Sequence, residues 1–161
     1  MSHLLEVDNL KVHFFLDEGT VRAVDGVSFA VDTGKSLGIV GESGSGKSVI
    51  GQSILRIVPA PGKIVAGKIL LAQANGNGDS KLIDLVQVPP HSRVMREIRG
   101  RDVAMIFQEP MNSFSPLHTI GSQITEALRL HSDVSPAEAR EQAVEILAKV
   151  GIPRPQYLVD V

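Results

Sequence analysis

The hydrophobic pattern of the first part of the chain predicts strands. Residues 4–16 and 20–31 are rich in Val, Leu and Phe and flank Asp17-Glu18-Gly19, which is typical of a β-hairpin. Residues 36–40 form a short apolar run that predicts a buried strand. Residues 67–73 predict another strand. The pattern therefore indicates an antiparallel start followed by further strands.

Helical periodicity begins directly after a glycine-rich loop. Apolar residues recur at Ile50, Ile54, Leu55 and Val58, and Pro59 and Pro61 are expected to end this helix. Further on, residues 89–100 predict a short helix and residues 103–107 a buried strand. A polar turn is predicted at residues 75–79.

Two longer helices are predicted near the end of the chain, at residues 120–131 and 137–150. The second is preceded by Ser135-Pro136-Ala137-Glu138, which places a capping serine, a proline at the first helical position and a reciprocal glutamate in register. Gly151 and Pro153 are expected to end it.

These elements predict an α/β fold. We expect an N-terminal antiparallel β region against a parallel-sheet core around the helix after the glycine-rich loop, followed by the start of a helical subdomain. The expected domains are residues 1–119 and 120–161. We also expect the strands that complete the core to lie beyond residue 161, so that the fold is incomplete.

Composition narrows the class of protein. The 161 residues are 43% hydrophobic and 21% charged, which is ordinary for one soluble globular domain. A formal net charge of −2 gives no global positive field for nucleic acid or an anionic membrane. The absence of cysteine excludes disulfides, thiolate metal sites and cysteine nucleophiles. Glu6 and Asp8 argue against a signal peptide, and no apolar run reaches the length of about 18 residues needed for a membrane span.

The strongest chemical signal is the phosphate-loop pattern G-x-x-x-x-G-K-[ST] after the predicted strand at residues 36–40 and before the predicted helix. Small residues let successive backbone N–H groups surround phosphate oxygens. A lysine then reaches the β and γ phosphates, and a serine hydroxyl binds Mg²⁺. The alternative is a glycine-rich turn that binds no ligand. Such a turn would not need all the positions of the pattern, nor a strand before it and a helix after it. The predicted ATP-binding residues are Gly41, Glu42, Ser43, Gly44, Ser45, Gly46, Lys47 and Ser48, with Ser48 also a ligand of Mg²⁺.

A second segment makes the resemblance to a known family specific. Residues 38–48, residues 23–29 and the sequence Ala104-Met105-Ile106-Phe107-Gln108-Glu109-Pro110-Met111-Asn112-Ser113 together resemble the N-terminal portion of ATP-binding cassette (ABC) transporter subunits of the oligopeptide, dipeptide and nickel importer group. The similarity extends over the whole chain, including the Ile98-Arg99-Gly100 approach to the second segment.

The resemblance assigns two further site residues. It implies that Gln108 completes the Mg²⁺ shell and senses the γ-phosphate, and an amide oxygen is a suitable neutral, hard ligand. From the residue alone, a glutamine bonded to backbone at a strand end is an equal alternative. The resemblance also implies that Phe14 stacks on adenine, with Phe15 as a rival, since adjacent strand residues face opposite sides and only one can serve. A core role for either ring is the third alternative.

Several motifs of the family do not occur in these 161 residues. They are the Leu-Ser-Gly-Gly-Gln signature, an apolar strand ending in Asp-Glu, and a downstream switch histidine. The histidines at 3, 13, 91, 118 and 131 have no metal-like spacing, and Glu109 matches a variable acidic position of the family. We therefore expect no catalytic residue within this chain and little ATP hydrolysis by it alone.

The resemblance implies partners and a location. The full-length subunit would hydrolyse ATP to drive import, of peptides first and nickel second. It would lie peripherally on the cytoplasmic face of the membrane, paired with a second ATPase subunit, bound to permease subunits after Gln108, and served indirectly by an extracytoplasmic solute-binding protein.

Two other functions stay open. One is a non-catalytic nucleotide-binding fragment that occupies a permease or partner. The other is a soluble ABC ATPase acting on DNA, suggested by arginines at 93, 96, 99 and 101. A solvated helix face explains those arginines equally well, and with the acidic net charge no nucleic-acid partner is expected.

Overall fold

The computed structural model describes residues 3–74, 80–108 and 114–161. Two compact units divide the chain, Met1–Val103 and Ala104–Val161. The domain boundary predicted at residue 119 concerns the start of the helical subdomain and stays a prediction.

A four-stranded antiparallel sheet with the order β2-β1-β3-β4 forms the first unit. Its strands are β1 (Leu5–Leu16), β2 (Gly19–Val31), β3 (Gly62–Ala74) and β4 (Ser80–Asp84). The predicted hairpin of β1 and β2 is confirmed. β3 begins five residues earlier than predicted, and β4 was not anticipated. The polar turn predicted at residues 75–79 lies outside the described residues.

One face of this sheet carries the core of the first unit. Leu10, Val12 and Ile69 are fully buried, and they lie on the two central strands β1 and β3. Leu85 and Met95, from the segments after β4, are fully buried in the same cluster. Burying side chains of this size is the main favourable contribution to stability, so β1 and β3 form the rigid base of the unit.

Two helices belong to the first unit, α1 (Lys47–Ile54) and α2 (Arg93–Arg101). α1 is shorter than predicted: the backbone turns at Arg56, whose φ is +55°, before Pro59 is reached. α2 begins at its N-cap Ser92, whose side chain accepts a hydrogen bond from the Met95 amide at 3.2 Å. Its backbone kinks at Arg99 and Gly100.

The strands predicted at residues 36–40 and 103–107 do not form, and this part of the prediction was wrong. Val40 and Ile106 are each 96% exposed. A strand needs a neighbouring strand to pair its backbone groups. Within the described ranges these segments have only the isolated bridge between Arg99 and Val103. The sheet assembled from the described residues is accordingly antiparallel throughout, without the predicted parallel core.

The second unit contains α3 (Ile120–His131), α4 (Pro136–Lys149) and α5 (Pro155–Leu158). α3 matches its predicted bounds, and α5 was not predicted. The capping box of α4 is confirmed: the Ser135 hydroxyl accepts from the Glu138 amide at 3.3 Å, and the Glu138 carboxylate accepts from the Ser135 amide at 2.8 Å. Hydrogen bonds that the Glu138 carboxylate receives from the side chain and the backbone of Ser135 lower its pKa.

The end of the chain packs against the start of α3. The Gly121 amide donates to the Val159 carbonyl at 2.7 Å, and Val159 is buried with Ala143 and Leu147 of α4. None of the helices in the described part of the chain is both long and apolar enough to cross a membrane.

The glycine-rich loop is fixed to the sheet at Gly46. This residue is buried and has a φ of +91°. A Cβ atom there would lie 2.1 Å from the backbone carbonyl oxygen of Ala23 in β2. Only glycine permits both the backbone conformation and this close approach. The start of α1 is therefore held directly against β2.

Replacing Gly46 by alanine should be far more destabilising than the same change at a glycine without the close contact. Gly34 is the matched control, since its φ is +72° and a Cβ there would meet nothing within 4 Å. We expect Gly34→Ala to cost about 1–2 kcal/mol from left-handed strain. Gly46→Ala should cost about 2–3 kcal/mol more, because backbone must also move. Urea denaturation measures both, and equal losses would contradict the anchoring role.

Candidate phosphate-binding site

The loop between the sheet and α1 presents backbone on the protein surface. Residues 41–45 are exposed, while Gly46 behind them is buried. The Ser45 amide donates to the Glu42 carbonyl at 3.3 Å, which closes a tight turn. Gly44 within the turn has a φ of +80°. A loop of this form offers unobstructed backbone N–H groups to an anion.

Lys47 places its positive charge inside this loop. Its Nζ donates to the carbonyl oxygens of Gly41 at 2.7 Å and Glu42 at 2.6 Å, and lies 3.3 Å from Ser45 Oγ. The side chain is only partly buried. The ammonium group is thus held by exchangeable acceptors in a position that phosphate oxygens can also reach.

The N-terminus of α1 adds to the positive potential. Gly46 is the N-cap and supplies no side-chain capping bond, and the first turn contains no acidic residue. The first N–H groups of a helix lack intrahelical partners and carry a partial positive charge. Ser48 lies exposed in this first turn. The arrangement is that of a helix-terminus anion site with a hydroxyl beside it.

The rest of α1 anchors this site in the core. Ile50 is 6% exposed and packs in the core cluster of the sheet. Ser53 is fully buried, and its hydroxyl donates to the Val49 carbonyl at 2.6 Å. Because α1 is packed along its length, it connects the loop at its N-terminus to the core as one element.

The two candidate aromatic residues differ in their surroundings. Phe14 is partly buried against the core, and a Cβ at Gly62 would lie 2.7 Å from its ring. Phe15 is 47% exposed, with Lys63 Nζ 5.8 Å from its ring centroid. The predicted adenine contact at Phe14 and its rival at Phe15 both stay open.

Gln108 is exposed and belongs to the unit Ala104–Val161, whereas Lys47 and Ser48 belong to Met1–Val103. Because Ser48 and Gln108 belong to different units, a Mg²⁺ site that they share stays a prediction. Glu109 and the residues to 113 lie outside the described ranges.

Two contributors to this region are not evident in the sequence. Ala23 acts through its backbone carbonyl, which leaves no side-chain signal in a sequence. Arg99 resembles a surface charge in the sequence, yet it donates to backbone carbonyls at the C-terminal end of α1. Gly100 directly follows Arg99, and a glycine at this point of the sequence indicates a backbone turn. In the structure its φ is +90°.

The sequence of this chain is similar to those of known proteins. The family model described as "ABC transporter" matches residues 24–159. A probable peptide ABC transporter ATP-binding protein, y4tR of Sinorhizobium fredii, is 47% identical over 154 residues, which cover 95% of this chain and 43% of that protein. The oligopeptide transport ATP-binding protein AppD of Bacillus subtilis is 44% identical over 159 residues, covering 99% of this chain and 45% of AppD. The chain thus spans less than half the length of these relatives.

A solved structure shares the fold. It is the dimeric post-hydrolysis state of the ATP-binding cassette MJ0796 bound to ADP and Pi, with a TM-score of 0.72 and 21% sequence identity. The match covers 97% of this chain and 60% of that chain. The predicted α/β fold of an ABC ATPase and the resemblance to peptide importer subunits are confirmed. The chain belongs to the ABC transporter family.

Proposed function

We propose that this chain binds Mg-ATP as the N-terminal part of an ATP-binding subunit of a peptide importer. The observation that carries the proposal is the position of Lys47, held by loop carbonyls at the uncapped N-terminus of α1. A lysine, open backbone N–H groups and a helix terminus converge there. Dense negative charge is the ligand property that all three favour.

Each residue of the loop would have a defined role toward the nucleotide. Backbone N–H groups of residues 41–48 would receive phosphate oxygens, and Lys47 would exchange its carbonyl partners for oxygens of the β and γ phosphates. Ser48, with Gln108 from the other unit, would hold Mg²⁺, whose charge neutralises the phosphates when bound. Donor chemistry fits, since hydroxyl and amide oxygens are hard ligands suited to this ion.

ATP hydrolysis is a property we assign to the longer subunit. A catalytic base must lie within hydrogen-bond reach of the attacking water. The motif that would supply it, an apolar strand ending in Asp-Glu, is not found in these residues, nor is the signature sequence. We infer that the chain by itself binds ATP without efficient turnover, which also describes the alternative of a non-catalytic nucleotide-binding module.

Peptides are the proposed cargo. The relatives named above are peptide and oligopeptide transport proteins, and nickel is the second choice carried by the resemblance. We assign the subunit to the cytoplasmic face of the membrane, with permease subunits, a second ATPase subunit and, indirectly, a solute-binding protein as partners. The MJ0796 cassette is dimeric in its solved structure, which supports pairing.

The permease contact is proposed on the second unit. A groove of about 740 Å³ runs along α3, lined by Ser115, His118, Gln123, Arg129 and other residues. Leu130, which also lines the groove, is 70% exposed, and Leu117, next in sequence to the lining residue His118, is 88% exposed. Exposed apolar residues surrounded by polar residues are typical of a protein interaction site.

The DNA-binding alternative loses part of its basis. Arg93 donates to the Glu97 carboxylate at 2.7 Å, and Arg99 is committed to backbone carbonyls. Arg101 donates to the Asp102 carboxylate at 3.2 Å. Three of the four arginines behind that hypothesis therefore have partners within the protein.

Replacing Lys47 by alanine should weaken ATP binding about ten- to hundredfold. The reason is that a charged hydrogen bond to phosphate is worth about 1.5–3 kcal/mol. Isothermal titration calorimetry measures the affinity. Lys35→Ala is the control, because Lys35 is an exposed lysine outside the loop. Unchanged affinity of the Lys47 variant would remove the basis of the proposal.

Leucine at Phe14 and at Phe15 separates the two adenine candidates, since leucine keeps apolar bulk but removes the ring. If Phe14 stacks on adenine, Phe14→Leu should lower ATP affinity about five- to hundredfold, the range of base stacking. Tripolyphosphate binding should stay unchanged, as it involves no base. Fluorescence titration of each variant provides the comparison. A larger loss in Phe15→Leu would transfer the role to Phe15.

Gln108→Ala tests the Mg²⁺ ligand. We expect ATP affinity about tenfold weaker with Mg²⁺, the low end of what losing a metal-site partner costs, and no change in EDTA. Calorimetry in the two buffers measures the difference. Gln87→Ala is the control, because Gln87 is also exposed and lies in the turn after β4. An equal loss in both buffers would assign Gln108 a role unrelated to the metal.

A further inference from the structure

Arg99 makes an unusual contact for a residue flanked by surface arginines. Its Nε donates to the Leu55 carbonyl at 2.8 Å and its Nη2 to the Arg56 carbonyl at 3.1 Å. These carbonyls lie just after the last residue of α1, Ile54. The guanidinium of α2 therefore binds the C-terminal end of the helix whose N-terminus forms the phosphate site.

This contact has a clear electrostatic reason. Carbonyls at a helix C-terminus lack intrahelical partners and carry a partial negative charge, which a cation stabilises. The last turn of α1 has no basic residue of its own. Arg99 supplies the missing charge from another element, and its planar group can donate to two acceptors at once.

The same turn is strained and crowded with positive charge. Arg56 has a φ of +55°, which is uncommon for a residue other than glycine. Its Nε is buried without a hydrogen-bond partner. Burial lowers the pKa of Arg56, Asp84 opposes this, and the nearby charge of Arg99 lowers it further. Such a turn needs outside support to keep its conformation, and the two Arg99 hydrogen bonds supply it.

Arg99 also lies where α2 turns toward the second motif. Arg99 itself has non-helical ψ, and Gly100 follows at φ +90°. The Gly100 amide then donates to the Val103 carbonyl at 2.9 Å, and the Val103 amide donates to the Ile98 carbonyl at 3.0 Å. Gln108 follows Val103 by five residues. The side chain that holds α1 is therefore part of the turn that starts the segment leading to Gln108.

We infer that Arg99 is a positioning residue that couples the phosphate loop, through α1, to the turn at residues 100–103. α1 has eight residues and so spans only about 12 Å. Movement of one end of so short and well-packed a helix displaces the other. Nucleotide bound at Lys47 and Ser48 would therefore change the position of the C-terminal end of α1, which Arg99 binds. Arg99 would pass this change on to the backbone after Gly100. The inference rests on the proposed function.

Hydrogen exchange with and without Mg-ATP tests the coupling in the wild-type chain and in Arg99→Ala, Arg99→Lys and Arg93→Ala. Arg93 is the matched control, since it is an arginine of the same helix whose partner in the described part of the chain is Glu97, on the surface. In wild type and Arg93→Ala, nucleotide should slow exchange in both residues 41–50 and residues 100–103, whose amides at Gly100, Asp102 and Val103 are hydrogen-bonded. In Arg99→Ala at saturating nucleotide, residues 41–50 should still respond while the response of residues 100–103 is lost.

Affinity gives a second measure. We expect Arg99→Ala to bind ATP about fivefold more weakly, the low end of typical coupling between sites. The ATP affinity of Arg99→Lys should lie between those of wild type and Arg99→Ala, because a single ammonium group retains the charge but not the planar pair of donors. Circular dichroism establishes which variants fold. If Arg99→Ala does not fold, the coupling is judged from Arg99→Lys.

The outcomes separate the two proposals. A full wild-type response of residues 100–103 in a folded Arg99 variant overturns the coupling, as does the absence of any response there in wild type that binds ATP. Absence of ATP binding to the wild-type chain, by contrast, refutes the proposed function itself. If wild type binds and Lys47→Ala does not, while the Arg99 variants respond like wild type, only the positioning role fails.

Discussion

The close approach of Gly46 to the carbonyl of Ala23 is the constraint on which the site depends. It allows α1 to start directly against β2, and β2 is paired to the buried strand β1. A side chain at Gly46 would force the loop away from the sheet. The positions of Lys47, the first N–H groups of α1 and Ser48 all follow from this one contact. The phosphate chemistry is therefore supported by backbone packing before any charge is considered.

Local patterns predict the parts of the fold whose partners are near in sequence. The β1–β2 hairpin and the bounds of α3 are predictable because alternation and helical periodicity are visible within a single segment. The capping box of α4 is predictable because Ser135 and Glu138 are three residues apart. The phosphate loop is predictable for the same reason, since its function is encoded in eight consecutive residues.

Prediction fails where structure depends on distant partners. Residues 36–40 and 103–107 are apolar enough for buried strands, but an apolar run does not supply the neighbour that a strand must pair with. Val40 and Ile106 are accordingly exposed in this chain. The role of Arg99 is hidden for a related reason. Its acceptors are the carbonyls of Leu55 and Arg56, more than 40 positions earlier, and backbone carbonyls leave no trace in residue type.

The two ends of α1 impose opposite electrostatic requirements. Its N-terminus favours anions and carries Lys47 and Ser48, while its C-terminus favours cations and receives Arg99. A phosphate at one end and a guanidinium at the other would each stabilise the same helix dipole. Because α1 is short, packs in the core cluster through Ile50 and has Ser53 fully buried, it would respond as a single unit. A helix of this kind can link nucleotide contacts to α2 without any additional element.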